Sequence, residues 1–554
     1  MAYPWVKMYA PGVPESINFD QITMSRVLTR TAKQYPAYTA LNWMGYKISY
    51  NQLDQLVNQF ARALVDLGVC AGNKVALLMP NLPQTVIANF ATMRIGAVCV
   101  MNNPLYTERE LKHQLNDSES TIIVGLDLLL PRMLKLKKET GLKRIITCHI
   151  NDYLPFPKKQ LYPLVKKSMY RKIEPQEGVD QFTNLIDNYS TDPVEDLSAW
   201  SDLAALLYTG GTTGLSKGVM QTNENLSINV QQFAAWLPGI QPGEKLLADL
   251  PYFHTAGFTI MQNLPVWMAL EAITIPRPDP ENVLEAIKKY KPDYLPGVPT
   301  IYNGLLNNKD FQTMDLSFIK GYFSGGAPLP IDTYNRLKEL NGSDLLSIYG
   351  LTECTVTATV SPWGGKVKAG TEGIPVPNTE IKIVDLDTGT KELPAGEAGE
   401  IIIKGPQVMK GYYKNPEATA LVLRDGWLYT GDIGVMDEEG YLSVVDRKKD
   451  IIIAGGFNIY PNEIDDILFG HPKIAEACTI GVPDQYRGET VKAYLVLQEG
   501  EKLTAEEVQD YCRESLAPYK IPKVIEFIDE LPKSGVGKIL RRVLKEKEME
   551  KTTV

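Results

Sequence analysis

The chain has 554 residues, too many for one ordinary hydrophobic core, so at least two domains are expected. Its 66 acidic and 57 basic residues give a net charge of -9, which speaks against a general nucleic-acid binder. Six scattered cysteines without CxxC spacing read as buried thiols of a reducing cytoplasm, and four histidines are too few for a histidine-rich metal centre.

No apolar run approaches the roughly 20 residues needed to cross a bilayer. The opening MAYPWVKMYAPG has no continuous apolar region, so a secretory signal is not expected and the location reads as cytoplasmic. Leu53, Leu56, Val57, Phe60, Ala61 and Leu64 recur at helical spacing, with Gly68 as the stop. KVALLMP from Lys74 to Pro80 predicts a buried strand. The apolar stretch from Ala88 to Val100, carrying Gly96, leads into NNPLYTERELKHQL, and TIIVG at 121–125 is again strand-like. This alternation predicts a layered α/β body.

Residues 154–173, LPFPKKQLYPLVKKSMYRKI, interrupt the pattern with six lysines or arginines among apolar residues. They read first as a solvated surface insertion and second as a peripheral contact with anionic lipid on the inner face of a membrane. Pro163 is expected to break a clean amphipathic helix there.

The run LLYTGGTTGLSKGVM, Leu206 to Met220, concentrates groups that suit a polyphosphate. Gly210, Gly211 and Gly214 allow close backbone approach. Thr209, Thr212, Thr213 and Ser216 supply hydroxyls, and Lys217 supplies positive charge. The spacing is not that of a Walker A loop. Further along, His254 sits in PYFHTAGF, where core packing among aromatics is an equal reading. FTIMQNLPVWMALEAITI, Phe258 to Ile275, can form either an apolar tunnel wall or an ordinary buried helix. FSGGAPL (323–329) offers a glycine turn. SIYGLTECT (347–355) offers Tyr349 to stack a base, Gly350 for close approach, and Thr352 and Glu353 for phosphates or Mg²⁺. Read alone, a Tyr-Gly turn followed by a glutamate is more often structural, and FSGGAPL can be only a glycine turn.

The segment from Asp425 to Asp465 carries TGDI with Asp432, then the charged cluster Asp446 to Asp450, which reads as a domain boundary. A compact α+β domain of about a hundred residues should follow. It ends in LPKSGVGKIL, which isolates Lys538 in a polar, glycine-containing stretch.

Taken in order, LLYTGGTTGLSKGVM, IYGLTECT, GWLYTGDIGVMDEEG, VDRKKDIIIAGGFNIYPNEI and LPKSGVGKILRR resemble the acyl-adenylate-forming enzymes, and among them bacterial long-chain fatty-acid–CoA ligases. The likeness spans nearly the whole chain. It implies a large N-terminal domain (1–446) of two layered α/β subdomains plus a distorted β-barrel. A hinge at 447–449 and a small mobile C-terminal α+β domain (450–554) would follow. It also implies ATP, Mg²⁺ and CoA as cofactor and substrates, and a fatty acid as the other partner.

Carried over residue by residue, Thr209, Gly210, Gly211, Thr212, Thr213, Gly214 and Lys217 would hold the phosphates of ATP. Gly325, Gly326 and Ala327 would line the nucleotide pocket, with Gly350 and Thr352 beside Tyr349 on the adenine. Asp432 would hold the ribose and Arg447 would reach the same region. Glu353 would bind Mg²⁺, His254 would lie beside the acyl carboxylate, and Lys538 would serve adenylation. Lys449 would be the hinge, and Gly455 and Gly456 would face the CoA thiol. Insect luciferases and plant coumarate ligases carry a lysine where this chain has Gly455, which points away from them. Acyl length, a CoA ligase for medium-chain, branched or aromatic acids, a membrane contact and a homodimer stay open at this level.

Overall fold

The computed structural model describes residues 3–209, 216–275, 277–454, 457–484, 486–535 and 537–552. The predicted first helix runs Tyr50–Asp66. Ser49 and Gln52 close a reciprocal capping box at its start, and Leu53, Val57, Phe60, Ala61 and Leu64 face inward. Lys74–Leu78 is the expected strand, buried at all but its first residue. The stretch after it divides in two. A helix, Pro83–Arg94, buries every residue, and a strand, Val98–Met101, follows the turn at Gly96. Periodicity is silent there because a helix buried on all sides has no polar face.

These elements build an eight-stranded sheet among the described residues. Lys74–Leu78 pairs in parallel with Val98–Met101 and Ile122–Leu126, and Val98–Met101 pairs in parallel with Leu203–Thr209. Lys217–Thr222 then returns antiparallel to Leu203–Thr209. A nine-stranded sheet carries a parallel centre of Glu271–Thr274, Lys245–Ala248, Tyr294–Gly297, Gly321–Gly325 and Leu345–Tyr349. In such sheets ligands gather at the carboxyl ends of the strands. Thr209, Gly297, Gly325 and Tyr349 all end strands on these two sheets.

Where the barrel is expected, an antiparallel sheet joins Glu380–Val384, Gly399–Lys404, Leu423–Arg424, Trp427–Met436 and Leu442–Arg447. The smaller C-terminal unit sets the long hairpin Ile474–Asp484/Gly488–Leu497 against the helices Pro461–Phe469 and Ala505–Arg513. It has a core of its own, including Ile464, Leu468, Val491, Leu495 and Val508. The fold is thus mixed α/β, with a large N-terminal and a small C-terminal unit.

At 154–173 a helix, Lys158–Val165, passes through Pro163 rather than stopping before it. The proline lacks the N–H that would bond the carbonyl of Lys159, four residues back. The side chain of Asn151 donates to that carbonyl at 3.0 Å instead. A long-range partner thus satisfies what local sequence leaves open. No described helix is long and apolar enough to cross a membrane.

Candidate active site

A continuous cavity of about 1900 Å³ opens between the strand ends and the C-terminal unit. Lys217 begins its strand opposite Thr209, which fixes both ends of the glycine-rich loop. Gly210, Gly211, Thr212, Thr213 and Gly214 lie outside the described residues, as do Gly455 and Gly456. The loop's exit is held from the helix Glu108–Ser118. His113 Nε2 lies 2.9 Å from the Ser216 carbonyl, and Gln114 donates to Ser216 Oγ at 3.2 Å.

Glu353 stands on the cavity wall in the short turn Thr352–Cys354. Burial pushes its carboxyl above the usual range, and a hydrogen bond from the Tyr412 hydroxyl to Oε1, at 2.8 Å, opposes that rise. Lys217 Nζ lies 4.9 Å from the centroid of the same Tyr412 ring. Lysine, phenol and carboxylate therefore form one connected edge of the site.

Gly325, Gly326, Ala327, Gly350 and Thr352 also line the cavity. At Gly350 a Cβ would come within 1.6 Å of the Val356 carbonyl oxygen, so only glycine fits this turn. Tyr349 and Asp432 do not line the cavity. The Tyr349 hydroxyl donates to Asp432 Oδ2 at 2.9 Å, and Arg447 Nε sits 2.8 Å from Asp432 Oδ1. Of these three, Arg447 reaches the cavity. Arg447 and Asp432 face each other directly in strand register, which is why the pair forms at all.

From the C-terminal unit, Lys538 enters the cavity, tied back to Ser534 by two hydrogen bonds. Ser534 N donates to the Lys538 carbonyl at 2.7 Å, and Lys538 N donates back to Ser534 Oγ at 3.2 Å. Gly537, at φ +78°, packs on the N-terminal unit, where a Cβ would lie 2.9 Å from Thr300 Oγ1. Lys538 is exposed as a residue because it lines the cavity, while protein encloses it on the other sides. That enclosure, with Arg447 nearby, brings its pKa down to about 8. His254 lines the same cavity, and burial together with the Lys538 charge lowers its pKa to about 4, so it is neutral at pH 7.

The apolar side of the cavity is built by Phe233, Leu237, Leu246, Ile260, Met261 and Leu264. Three of these come from the run flagged as a tunnel wall. The run begins within a π-helix, Gly257–Asn263, a wide turn often found at functional sites.

Lys449 also lines the cavity, just past the last strand of the third sheet. Beside it, Arg541 of the C-terminal unit reaches Asp446 Oδ1 at 3.6 Å and also contacts Asp465 and Asn462. Asn462 N donates to Asp446 Oδ2 at 2.8 Å. Sequence reasoning gave no role to His113, Gln114, Tyr412, Asn462 or Arg541. His113 and Gln114 sit in a quoted motif. Tyr412 follows a glycine with no local mark of its partnership with Glu353.

Residues 28–413 match the family described as AMP-binding enzyme, and residues 463–538 match the AMP-binding enzyme C-terminal domain. The chain belongs to the AMP-binding enzymes. It is 43% identical over 551 residues to a long-chain-fatty-acid–CoA ligase of Bacillus subtilis (strain 168), covering 99% of this chain and 98% of that one. It is 40% identical over 550 residues to a ligase of the same description from Escherichia coli O6:H1, covering 98% of each. Among solved structures it resembles the anthranilate CoA ligase AuaEII in complex with anthranoyl-AMP, with a TM-score of 0.87 at 27% identity over 98% of this chain and 99% of that one. It also resembles ATP-bound MatB from Rhodopseudomonas palustris, with a TM-score of 0.84 at 30% identity over 95% and 99%.

Proposed function

We propose that the chain activates a long-chain fatty acid with ATP and passes the acyl group to CoA. One observation carries the reading. A continuous cavity joins an apolar wall to Glu353, Lys538 and the ends of the glycine-rich loop, in a chain similar over its whole length to ligases of that description.

A carboxylate has no viable leaving group. Its oxygen attacks the α-phosphorus of ATP, the bond from that phosphorus to the bridging oxygen breaks, and pyrophosphate leaves. Lys217 and the loop at 209–217 hold the phosphates, and Lys538 neutralises charge that develops during transfer. The backbone at Gly325, Gly326, Ala327 and Gly350 shapes the nucleotide pocket. Thr352 adds a hydroxyl there. Arg447 addresses the ribose from the cavity wall, and behind it the chain Tyr349–Asp432–Arg447 holds the guanidinium toward the nucleotide end. Glu353 offers one carboxylate at the phosphate end of the cavity, which fits Mg²⁺ held by few protein ligands together with substrate phosphates. When bound, that ion supplies further neutralisation of phosphate charge. Neutral His254 lies beside the acyl carboxylate without adding a competing charge.

The second step needs a different charge pattern. The unit at 450–554 turns about 447–449, with Lys449 absorbing the change, relative to the body at 1–446. Lys538 withdraws and the Gly455–Gly456 face is presented. The CoA sulfur then attacks the acyl carbonyl, and AMP leaves. A fatty chain is held because each buried CH₂ contributes roughly 0.8 kcal/mol.

The test supplies the purified chain with ATP, Mg²⁺, CoA and acids from hexanoate to octadecanoate, together with aromatic acids. Acyl-CoA and AMP should form, most rapidly from dodecanoate upward. Thioester formation with aromatic or short branched acids alone would overturn the long-chain assignment. Release of ADP without any acid would overturn the ligase reading altogether.

A further inference from the structure

The helix Glu108–Ser118 presents one face to the cavity. Arg109, Glu110, His113 and Gln114 all line it, at the spacing i, i+1, i+4, i+5 of a single helix stripe. Two members of that stripe hold Ser216 at the exit of the glycine-rich loop: His113 Nε2 lies 2.9 Å from its carbonyl, and Gln114 donates to its Oγ at 3.2 Å. Arg109 precedes His113 by one turn, so it stands on the same side of the helix as the loop's anchor.

The acidic residues beside Arg109 are engaged elsewhere. Glu108 pairs with Lys135, and Glu110 accepts from Thr107 N at 2.7 Å to close the cap of the helix. Lys112, the other Lys or Arg of this helix, does not line the cavity and pairs with Glu139 at 2.9 Å. Arg109 is exposed, and among the described residues no carboxylate pairs with it. The cation turned to the cavity is thus the one left without a counter-charge. The chain just before it meets the C-terminal unit. A Cβ at Gly535 would stand 3.1 Å from Asn103 Nδ2 and 3.6 Å from Leu105 Cδ1, three residues ahead of Lys538. Arg132 braces this segment, donating to the Tyr106 carbonyl at 2.8 Å. Residues 103–109 therefore adjoin both the stretch that carries Lys538 and the residues that hold Ser216.

We propose that Arg109 is a polyphosphate-binding residue that holds the pyrophosphate end of ATP, and pyrophosphate itself once it has left. The assignment rests on the ATP-dependent reading above. A guanidinium offers a planar fork of donors that matches phosphate oxygens, and it stays charged throughout the working range of pH. Arg109 belongs to the N-terminal unit, so its hold does not depend on the pose of Lys538. CoA also carries a diphosphate. The place of Arg109, one turn from the Ser216 anchor, favours the phosphates that the glycine-rich loop serves.

The experiment is calorimetric titration of the full chain with pyrophosphate plus Mg²⁺, with AMP, and with CoA, alongside acid-dependent exchange of pyrophosphate into ATP. Arg109→Gln should weaken pyrophosphate binding by about tenfold, the scale of one hydrogen bond to a charged group. Its KM for pyrophosphate in the exchange should rise by a similar factor, more than kcat falls. Binding of AMP and of CoA should stay as in the unmodified chain. Arg109→Lys keeps the charge without the fork and should recover part of the loss. Either variant carries the test alone should the other fail to fold. Unchanged pyrophosphate binding in Arg109→Gln overturns the proposal. A loss confined to CoA overturns it too, and gives the guanidinium to the CoA diphosphate. Equal loss of AMP and pyrophosphate in both variants would make the role structural and overturn it as well. An unmodified chain that exchanges no pyrophosphate overturns the ligase reading along with this one, whereas normal exchange with an indifferent Arg109→Gln overturns this one alone.

Discussion

The Tyr412 hydroxyl donates to Glu353 Oε1 at 2.8 Å, and this bond opposes the burial that pushes the carboxyl's pKa up. Burial raises the Glu353 pKa, whereas the phenol favours the charged form. Removing the hydroxyl lets the pKa rise further, so the carboxyl keeps its proton to higher pH. Tyr412→Phe should therefore move the acid limb of the adenylation rate upward in pH. It should also raise the Mg²⁺ concentration for half-maximal rate by about tenfold, the scale of one hydrogen bond to a charged group. Titrating Mg²⁺ at several pH values checks both. An unchanged requirement across the series would remove Glu353 from the metal.

Lys538 is predicted to serve adenylation and not thioester formation. In Lys538→Ala the acid-dependent exchange of pyrophosphate into ATP should fall by about a hundredfold, as expected for one lost contact to transition-state charge. Conversion of supplied acyl-adenylate and CoA should persist. Equal damage to both half-reactions would assign the residue a different role.

The same lysine gives a pH prediction with a definite sign. Enclosure and the Arg447 charge bring its pKa down to about 8, with Lys449 and Arg541 acting in the same direction and Asp432 against it. A lysine is charged below its pKa, so the charge is present at neutral pH and lost as pH rises through about 8. Adenylation kcat/KM, which reports the free enzyme, should decline over that range. In Lys538→Arg the basic limb should vanish, because guanidinium stays charged, even if the plateau is lower. A limb that survives this substitution belongs to another group.

Much of the layered body was legible in the chain because its signals are local. The helix Tyr50–Asp66 shows one apolar face and a Ser49–Gln52 cap, and Lys74–Leu78 is a short apolar run. The helix Pro83–Arg94 was not separable from the strand after it, since burial on every side erases periodicity. The continuation of Lys158–Val165 through Pro163 was misread for a related reason: the Asn151 amide that makes it possible comes from outside the helix. At the site, glycine and hydroxyl clusters announce themselves. Tyr412 with Glu353 and Arg541 with Asp446 do not, because each pair meets only through the tertiary fold.

The hinge prediction draws on that last pair. Asp446 is the penultimate residue of the strand Leu442–Arg447, and it accepts from Asn462 N at 2.8 Å while Arg541 approaches it at 3.6 Å. Lys545 grips Asp450 at 3.0 Å, so the C-terminal unit clasps the linker on both sides of Lys449. Lys449 itself lies between the strand Leu442–Arg447 and the strand Ile452–Ala454, where a rotation must concentrate its change in φ and ψ. Proline there fixes φ near -65° and removes the N–H, which opposes that rotation. Lys449→Pro should keep most acyl-adenylate formation and lose most CoA-dependent turnover. Single-turnover measurement of each half-reaction separates the two effects. A crystal trapped with acyl-adenylate should show the small unit in one orientation, and a CoA-bound crystal should show it rotated. Matching orientations in the two crystals, or a Lys449→Pro enzyme that makes acyl-CoA at the normal rate, would end the two-pose mechanism for this chain.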